Sequence, residues 1–386
     1  MRGPIYQCFE QSEYQARLDA LRERMVDRGV DVLVTTTPEN VFYLSGYQTP
    51  GYYFFLGLIV FQDREPVLIP PPHEESLVPA YSWVDEYRIN ADTSSSIETT
   101  STVIKELGYG KGVVALELGA WFLTANDVDE FAGYLPDAKL VDSDGLVEAG
   151  RLIKSDAELA HMRSAAKVAA TAMQAGIDAI EIGVRERDIA AAVYQAQISA
   201  GGEYSGLPAF VTSGERSMMV HASWSDRVVA DGEVVFLEVP GSVNRYHVAH
   251  SRAAIAGDPS DLLLKGVEVN SGALQLAKDL IKPGVDIAEV FGEVKRSIDE
   301  SDVPYKQGRR IAYGIGTAFP PDWGEGHIIS INADEHREFR SGMVFHIITT
   351  MRLLGIGAIG CSDTVAVTRS GSETLTGGVP IDLYRR

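Results

Sequence analysis

The stretch Arg151-Leu-Ile-Lys154-Ser-Asp-Ala-Glu158 marks where the character of this 386-residue chain changes. Ser155 with Glu158 three residues later has the form of a capping box. Leu159, Met162, Ala166, Ala169, Met173 and Ile177 then run at helical steps to a stop near Gly183. Beyond it the pattern predicts a second helix at 186–200 and strands near 208–212, 233–239 and 246–256. Two more helices, at 259–281 and 287–300, precede strands at 343–351 and 361–368. Helix pairs and strand groups segregate, which predicts an α+β domain over 151–386. Before residue 150 the order alternates instead. Ser12 with Gln15 suggests a capping box, and Tyr14, Leu18, Leu21 and Met25 predict a helix ending near Gly29. A strand at 30–34, a hairpin of 54–61 with 66–69, a strand at 112–117, a helix at 124–132 and a strand at 139–141 complete the pattern. Residues 1–150 therefore read as an α/β domain. No repeat of 20–50 residues and no low-complexity tract is evident.

Composition narrows the function classes. The chain is 45% hydrophobic and 23% charged, as a folded globular protein should be. Its 34 Lys and Arg stand against 54 Asp and Glu, a net charge of -20 that repels phosphate backbones, with no basic run to reverse it. Nucleic acid is therefore not expected as a partner. Cys8 and Cys361 form neither a disulfide framework nor a C-x-x-C pair. The first residues lack an apolar signal-like core, and the longest apolar stretch, 54–61, is far short of the roughly 20 residues that span a bilayer. No membrane partner and a cytoplasmic location are the expectations.

Several phrases, in order, resemble the creatinase/aminopeptidase P superfamily, whose C-terminal domain is the pita-bread fold. Arg151 to Glu158 resembles the linker into the first pita-bread helix. Gly232-Glu-Val-Val-Phe-Leu-Glu238 resembles the strand bearing the family's first metal aspartate, and Gly342-Met-Val-Phe345 and Asp363-Thr364 resemble the two closing strands. The resemblance implies a creatinase-type N-terminal domain ahead of a pita-bread catalytic domain. The family's peptidases hold two metal ions with two Asp, one His and two Glu, and those positions fall here on Glu238, Ala249, Tyr313, Ile348 and Ser362. Four of the five are not metal carboxylates or imidazoles, while a divalent ion needs several converging hard ligands. The resemblance thus points to the metal-free branch represented by creatinase and ectoine hydrolase. Phe236-Leu-Glu238-Val-Pro-Gly, Arg245-Tyr-His247, Ser251-Arg252, Pro320-Pro-Asp-Trp323-Gly-Glu325 and Gly342-Met-Val-Phe-His346 are similar to the ectoine-hydrolase type. Gly360-Cys361-Ser362-Asp363 departs from it, since that type carries glutamates there.

What this implies is hydrolysis of a non-peptide C–N bond in a small zwitterionic compound, without a cofactor. The alternatives are an Xaa-Pro dipeptidase-like metallopeptidase and a non-catalytic pita-bread binding protein. Strand alternation sorts the candidates: if position 249 faces the family's metal cavity, so do His247 and Ser251, while His250 faces away, and Ile348 brings His346 and Thr350. Glu238, within the apolar run Val234 to Val239, is either a catalytic carboxylate or the ion-pair partner of Arg252 or Arg245. His221, matched to creatinase's catalytic histidine by the resemblance, is the expected proton carrier, with an ordinary loop histidine as the alternative. His247 and His346 either stabilise a charged intermediate or donate to backbone carbonyls as core histidines. Without a family metal pair, a mononuclear site of Glu238, His221, His247 and His346 is a further alternative. Arg252 is either a substrate-carboxylate anchor or a clamp on a strand carboxylate. Trp323, Tyr313, Glu325 and, in the N-terminal domain, Tyr53 and Phe54 complete the substrate-binding set, with plain loop and hairpin packing as the alternative for the aromatics. The resemblance also implies a homodimer in which one subunit's N-terminal domain reaches the other's active site.

Overall fold

The computed structural model describes residues 5–90, 95–219, 221–306 and 308–386, and the chain divides into two compact units, Met1–Arg151 and Leu152–Arg386. Among the described residues, no helix is long and apolar enough to cross a membrane.

The first unit contains α1 (Gln11–Asp27), β1 (Val32–Thr35), α2 (Pro38–Ser45), β2 (Gly57–Phe61), β3 (Val67–Ile69) and the short α3 (Val78–Tyr81). It continues with α4 (Ser96–Glu106), β4 (Val113–Leu116), α5 (Ala125–Tyr134), β5 (Lys139–Asp142) and α6 (Glu148–Arg151). Its five strands lie in the order β3-β2-β1-β4-β5, with the hairpin antiparallel and the β1-β4-β5 side parallel. Alternate strand residues pack on opposite faces: Leu33, Leu58, Val60 and Leu68 join one core, and Val32, Val34, Ile59 and Val67 the other. The expected capping box at Ser12 does not form. The first helix begins at Gln11, with Glu10 as an N-cap that makes no side-chain cap, so Ser12 already lies within the first turn.

The second unit opens with α7 (Asp156–Asp178), whose capping box is made as expected: the Ser155 hydroxyl accepts from Glu158 N–H, and the Glu158 carboxylate accepts from Ser155 N–H. Next come α8 (Glu186–Ser199), β6 (Phe210–Ser213), β7 (Glu233–Val243), β8 (Tyr246–Ala256), α9 (Asp261–Leu280) and α10 (Ile287–Asp299). The rest is β9 (Tyr305–Lys306), β10 (Arg310–Gly314), β11 (Ser330–Asn332), β12 (Val344–Ile348), β13 (Met351–Leu353), β14 (Gly357–Ile359), β15 (Ser362–Val367), β16 (Ser372–Thr374) and β17 (Tyr384–Arg385). A large sheet runs β11-β10-β12-β15-β8-β7-β6, with β16 added to β15 and β17 to β8. Helices cover one face of it. Val235, Leu237 and Val239 of β7 pack with Met173, Ile177, Ile189 and Val193 of α7 and α8. Phe345, Ile347, Val365 and Val367 pack with Leu274, Val290 and Val294 of α9 and α10. On the opposite face Val234, Ala253 and Ile255 pack into the core at one end, and polar residues gather further along the strands.

Two departures from regular packing shape that polar face. The predicted strand 343–351 is in fact broken: the buried Thr349 takes a hydrogen bond from Asn270 Nδ2 at 3.2 Å on its hydroxyl, and beyond Thr350 the chain leaves the large sheet. It enters a separate three-stranded sheet, β14-β13-β9. Also, α7 lies so close to β7 that a Cβ on Gly241 would stand 2.0 Å from the carbonyl oxygen of Ala165. Gly241→Ala is expected to lower stability by roughly 1–3 kcal/mol through overpacking. A denaturation midpoint equal to that of the parent would show that the helix shifts freely.

Candidate active site

Register on the uncovered face assembles a line of side chains. Phe210 pairs with Glu238, Glu238 with Ser251, Ser251 with Ser362, and Ser362 with Ile348, so all five point the same way. Two residues along each strand, Ala249, Thr364, His346 and Tyr313 share that face. Glu238, Ala249, Tyr313, Ile348 and Ser362, each from a different strand, thus lie together. His250 pairs with Val239 on the other face, where its ring nitrogen Nε2 donates to the Ala169 carbonyl of α7 at 3.2 Å.

A hydrogen-bonded chain crosses this face. Trp323 Nε1–H donates to the Tyr313 hydroxyl at 2.8 Å, which meets His346 Nδ1 at 2.8 Å, and His346 Nε2 meets the Ser362 hydroxyl at 2.7 Å. Ser362 Oγ also accepts from Ser251 N–H at 2.7 Å. Burial, followed by the nearby His250, lowers the His346 pKa to about 3, so the ring is neutral at pH 7. A neutral ring carries one N–H, and the two hydroxyls carry one proton each. Three protons serve two bonds, so one hydroxyl proton remains free to aim off the chain. It is on Tyr313 in one tautomer and on Ser362 in the other. Burial keeps Tyr313 well above its ordinary pKa, so it stays a donor.

Glu238 is half-buried, and burial raises its carboxyl to about 7, with Arg352 as the cation that partly offsets this. Neither Arg252 nor Arg245 pairs with it. The Ser251 hydroxyl, its cross-strand neighbour, is buried without a hydrogen-bond partner among the described residues. Gly360 keeps that spot open, since a Cβ there would lie 3.1 Å from Ser251 Oγ, 3.0 Å from Thr350 Oγ1 and closer still to the Phe236 ring. This donor set does not fit a divalent ion of the dinuclear kind. It offers one carboxylate, hydroxyls and an imidazole whose two nitrogens are already bonded. Among the described residues, no three His, Cys, Asp or Glu side chains come together as an ion site.

The other expected site residues are scattered between the polar face, the interior and the surface. His221 is exposed in a loop with φ 62°, its ring 5.9 Å from that of Phe210, which in turn lies 5.8 Å from Trp323. Buried Glu186 fastens both ends of this loop, accepting from Ser213 N–H at 2.8 Å and from Ser225 N–H at 3.0 Å. His247 is on the site face, but its Nδ1–H donates to Arg245 O at 2.9 Å and its Nε2 accepts from Gly206 N–H at 3.0 Å. Burial holds it neutral, well below the ordinary histidine range. Arg252 is the clamp rather than the anchor. Its five N–H groups go to the carbonyls of Ser251, Ser362, Val379 and Pro380 and to Asp363 Oδ1 at 2.9 Å, leaving none for a ligand. Glu325 is buried and paired with Lys154 Nζ at 2.5 Å. Tyr246 donates to Glu158 Oε1 at 2.8 Å and stacks on His161. Tyr53 and Phe54 are exposed in the first unit, ring against ring at 4.6 Å.

Phe210, Glu186, Arg310 and Arg352 were not anticipated. A hydrophobic strand start was the only signal at Phe210, and Arg352 falls just past the point where the expected strand breaks. Arg310 lies over the Tyr313 ring, its guanidinium carbon 4.7 Å from the centroid.

Known proteins match this architecture along its length. Residues 160–369 match the Metallopeptidase family M24, and residues 17–153 the Creatinase/Prolidase N-terminal domain. The chain is 30% identical to an uncharacterised hydrolase/peptidase of Sinorhizobium fredii, covering 95% of this chain and 96% of that one. It is 26% identical to an ectoine hydrolase of Halomonas elongata, with the same coverage of both. The Xaa-Pro dipeptidase from Bacillus anthracis shares the fold, with a TM-score of 0.85 at 22% identity over 97% of this chain and all of that one. A creatinase-type α/β domain followed by a pita-bread domain, matched over this span, places the chain in metallopeptidase family M24, to which it belongs.

Proposed function

We propose that this M24 hydrolase cleaves a non-peptide C–N bond, of the cyclic amidine, amide or guanidino type, in a small zwitterionic compound without a divalent metal. The observation that carries the reading is Glu238: a lone carboxylate with a pKa near 7, set beside hydroxyls and a neutral imidazole instead of the second carboxylate that would bridge an ion. A group titrating near neutrality is well matched to accept and return a proton at physiological pH. The 26% identity to an ectoine hydrolase supports a substrate of this class.

In the proposed reaction, ionised Glu238 takes a proton from water as the water oxygen bonds to the electrophilic carbon. The free hydroxyl proton of Tyr313 or Ser362 hydrogen-bonds to the heteroatom on which charge develops. The C–N bond then breaks, its electron pair leaving with nitrogen, and Glu238 returns the proton to that nitrogen. His221, exposed at the edge, exchanges protons with solvent. His346 and His247 position their neighbours, the first through Tyr313 and Ser362, the second through the Gly206 backbone.

The test is a turnover screen on ectoine, creatine, N-acetylated diamino acids and Gly-Pro, read by amine release or mass change before and after dialysis against chelator. Turnover of one of the non-peptide compounds is expected to persist within about twofold after chelation, and kcat/KM to rise with pH through about 7 as Glu238 ionises. Cleavage confined to Gly-Pro, lost with chelator and restored by a divalent ion, would establish the dipeptidase reading instead. Binding of these compounds without turnover would establish a binding protein.

A further inference from the structure

We infer that Arg352 is the anchor for a carboxylate of the substrate, set beside the carboxylate that works on its C–N bond. The inference deepens the function proposed above and rests on Glu238 marking the reaction centre.

Four observations carry it. First, β13 is a strand whose flanking residues Met351 and Leu353 are buried in the core, so alternation sends Arg352 to the other side. Second, the small sheet bearing it is held against the site. Arg352 pairs with Ala358 of β14, and Ala358 N–H donates to Ser217 Oγ at 2.8 Å, in the turn that leads to the His221 loop. Gly357, beside Ala358, is packed against Gly214, Ser217 and Val234 of β7. Third, Arg352 is half-buried, yet among the described residues its side chain has no hydrogen-bond or ion-pair partner. The chain carries 54 Asp and Glu and a net charge of -20, and its buried guanidinium groups Arg252 and Arg245 are bonded to carbonyls and carboxylates. Fourth, Arg352 is the cation whose charge partly offsets the effect of burial on Glu238, and no hydrogen bond or close ion pair joins the two.

A partly desolvated guanidinium without a partner is a strong site for a planar anion, because its fork matches a carboxylate with two parallel hydrogen bonds. It also explains why Glu238 sits near neutrality instead of being locked as a salt bridge: Arg352 has its fork free for the ligand. The ligand class is a small acid whose carboxylate lies within a few bonds of the scissile C–N group. Its cationic or neutral nitrogen end meets Glu238, and its anionic end meets Arg352. The expected anchor Arg252 lies on the adjacent strands but faces into the protein, fully bonded.

The experiment measures binding rather than turnover, in Glu238→Gln protein, so that it does not depend on which bond is cleaved. Ectoine, creatine and Gly-Pro are each titrated by calorimetry beside their carboxamides. At least one acid is expected to bind roughly 10–100-fold more tightly than its amide, the range of a charge-assisted bidentate contact. Adding Arg352→Gln should bring the two within about threefold, while Arg352→Lys, which keeps the charge but not the fork, should give an intermediate preference. The acid-to-amide ratio is internal to each variant, so partial unfolding does not mimic the result. An unchanged preference after Arg352→Gln overturns the inference, as does equal binding of acid and amide with Arg352 present, or no binding of any of the three acids. Failure of the catalytic reading shows itself elsewhere, as turnover that survives Glu238→Gln.

Discussion

Glu238→Gln is expected to lower turnover by about 10³-fold or more, since it removes the group that both takes and returns the proton. The same variant should be more stable than the parent at pH 8, by about 1–3 kcal/mol, because a raised carboxylate pKa is a stability penalty. The sign depends on where the proton is held. Below about pH 4.5, the ordinary value, the carboxyl is protonated in both states and no difference remains. Between there and about 7 the unfolded chain ionises while the folded chain keeps its proton, so native stability falls as pH rises. Above 7 the penalty of a half-buried carboxylate is fully present. Glutamine has none, so urea denaturation at pH 5 and pH 8 should show the two proteins converging at the lower pH and separating at the higher. Parallel pH dependence would mean that the Glu238 carboxyl is not perturbed, and undiminished turnover would remove it from the reaction.

Arg252→Met is expected to cost about 3–5 kcal/mol of stability, the range for breaking one side of a buried charge network. Burial alone would push Asp363 up, but Arg252 and Lys278 more than reverse it and hold its carboxyl below the ordinary range. Methionine fills similar volume yet leaves Asp363 with Lys278 as its one cation beside the Thr376 hydroxyl, and the carbonyls of Ser251 and Ser362 lose their donor. Ser251 and Ser362 are also where β8 and β15 pair in register, so the loss opens the sheet directly behind Glu238 and His346. Urea denaturation checks the magnitude. A stability loss under about 1 kcal/mol with a large rise in KM would instead restore Arg252 to the substrate.

How far each expectation reached depended on the range of the physics behind it. The strands expected at 233–239 and 246–256 and the helix opened by Ser155 and Glu158 are written in local pattern, apolar alternation or a cap three residues apart, and they formed there, the first strand running on to Val243. Alternation also sorted His247, Ser251 and His346 onto one face and His250 onto the other, because a strand's twofold period does not depend on its neighbours. The break after Thr349 was not visible in the same way. Val344 to Leu353 is apolar enough to be one strand, and its interruption depends on Asn270 from a helix some eighty residues earlier. That break is what carries Arg352 out of the sheet.

The family and the succession of an α/β creatinase-type domain and a pita-bread domain could be read from the linear order of residues, because each is a matter of which residue type stands at which step along a strand or helix. Which polar side chains are already bonded and which are left for a ligand was settled by folding alone. Arg252 and Arg352 look alike in the chain, a single arginine in an apolar strand. One meets Asp363 and the carbonyls of Ser362, Val379 and Pro380 brought from distant segments, and the other has no side-chain partner among the described residues, because such partners are supplied across the fold and not along the strand.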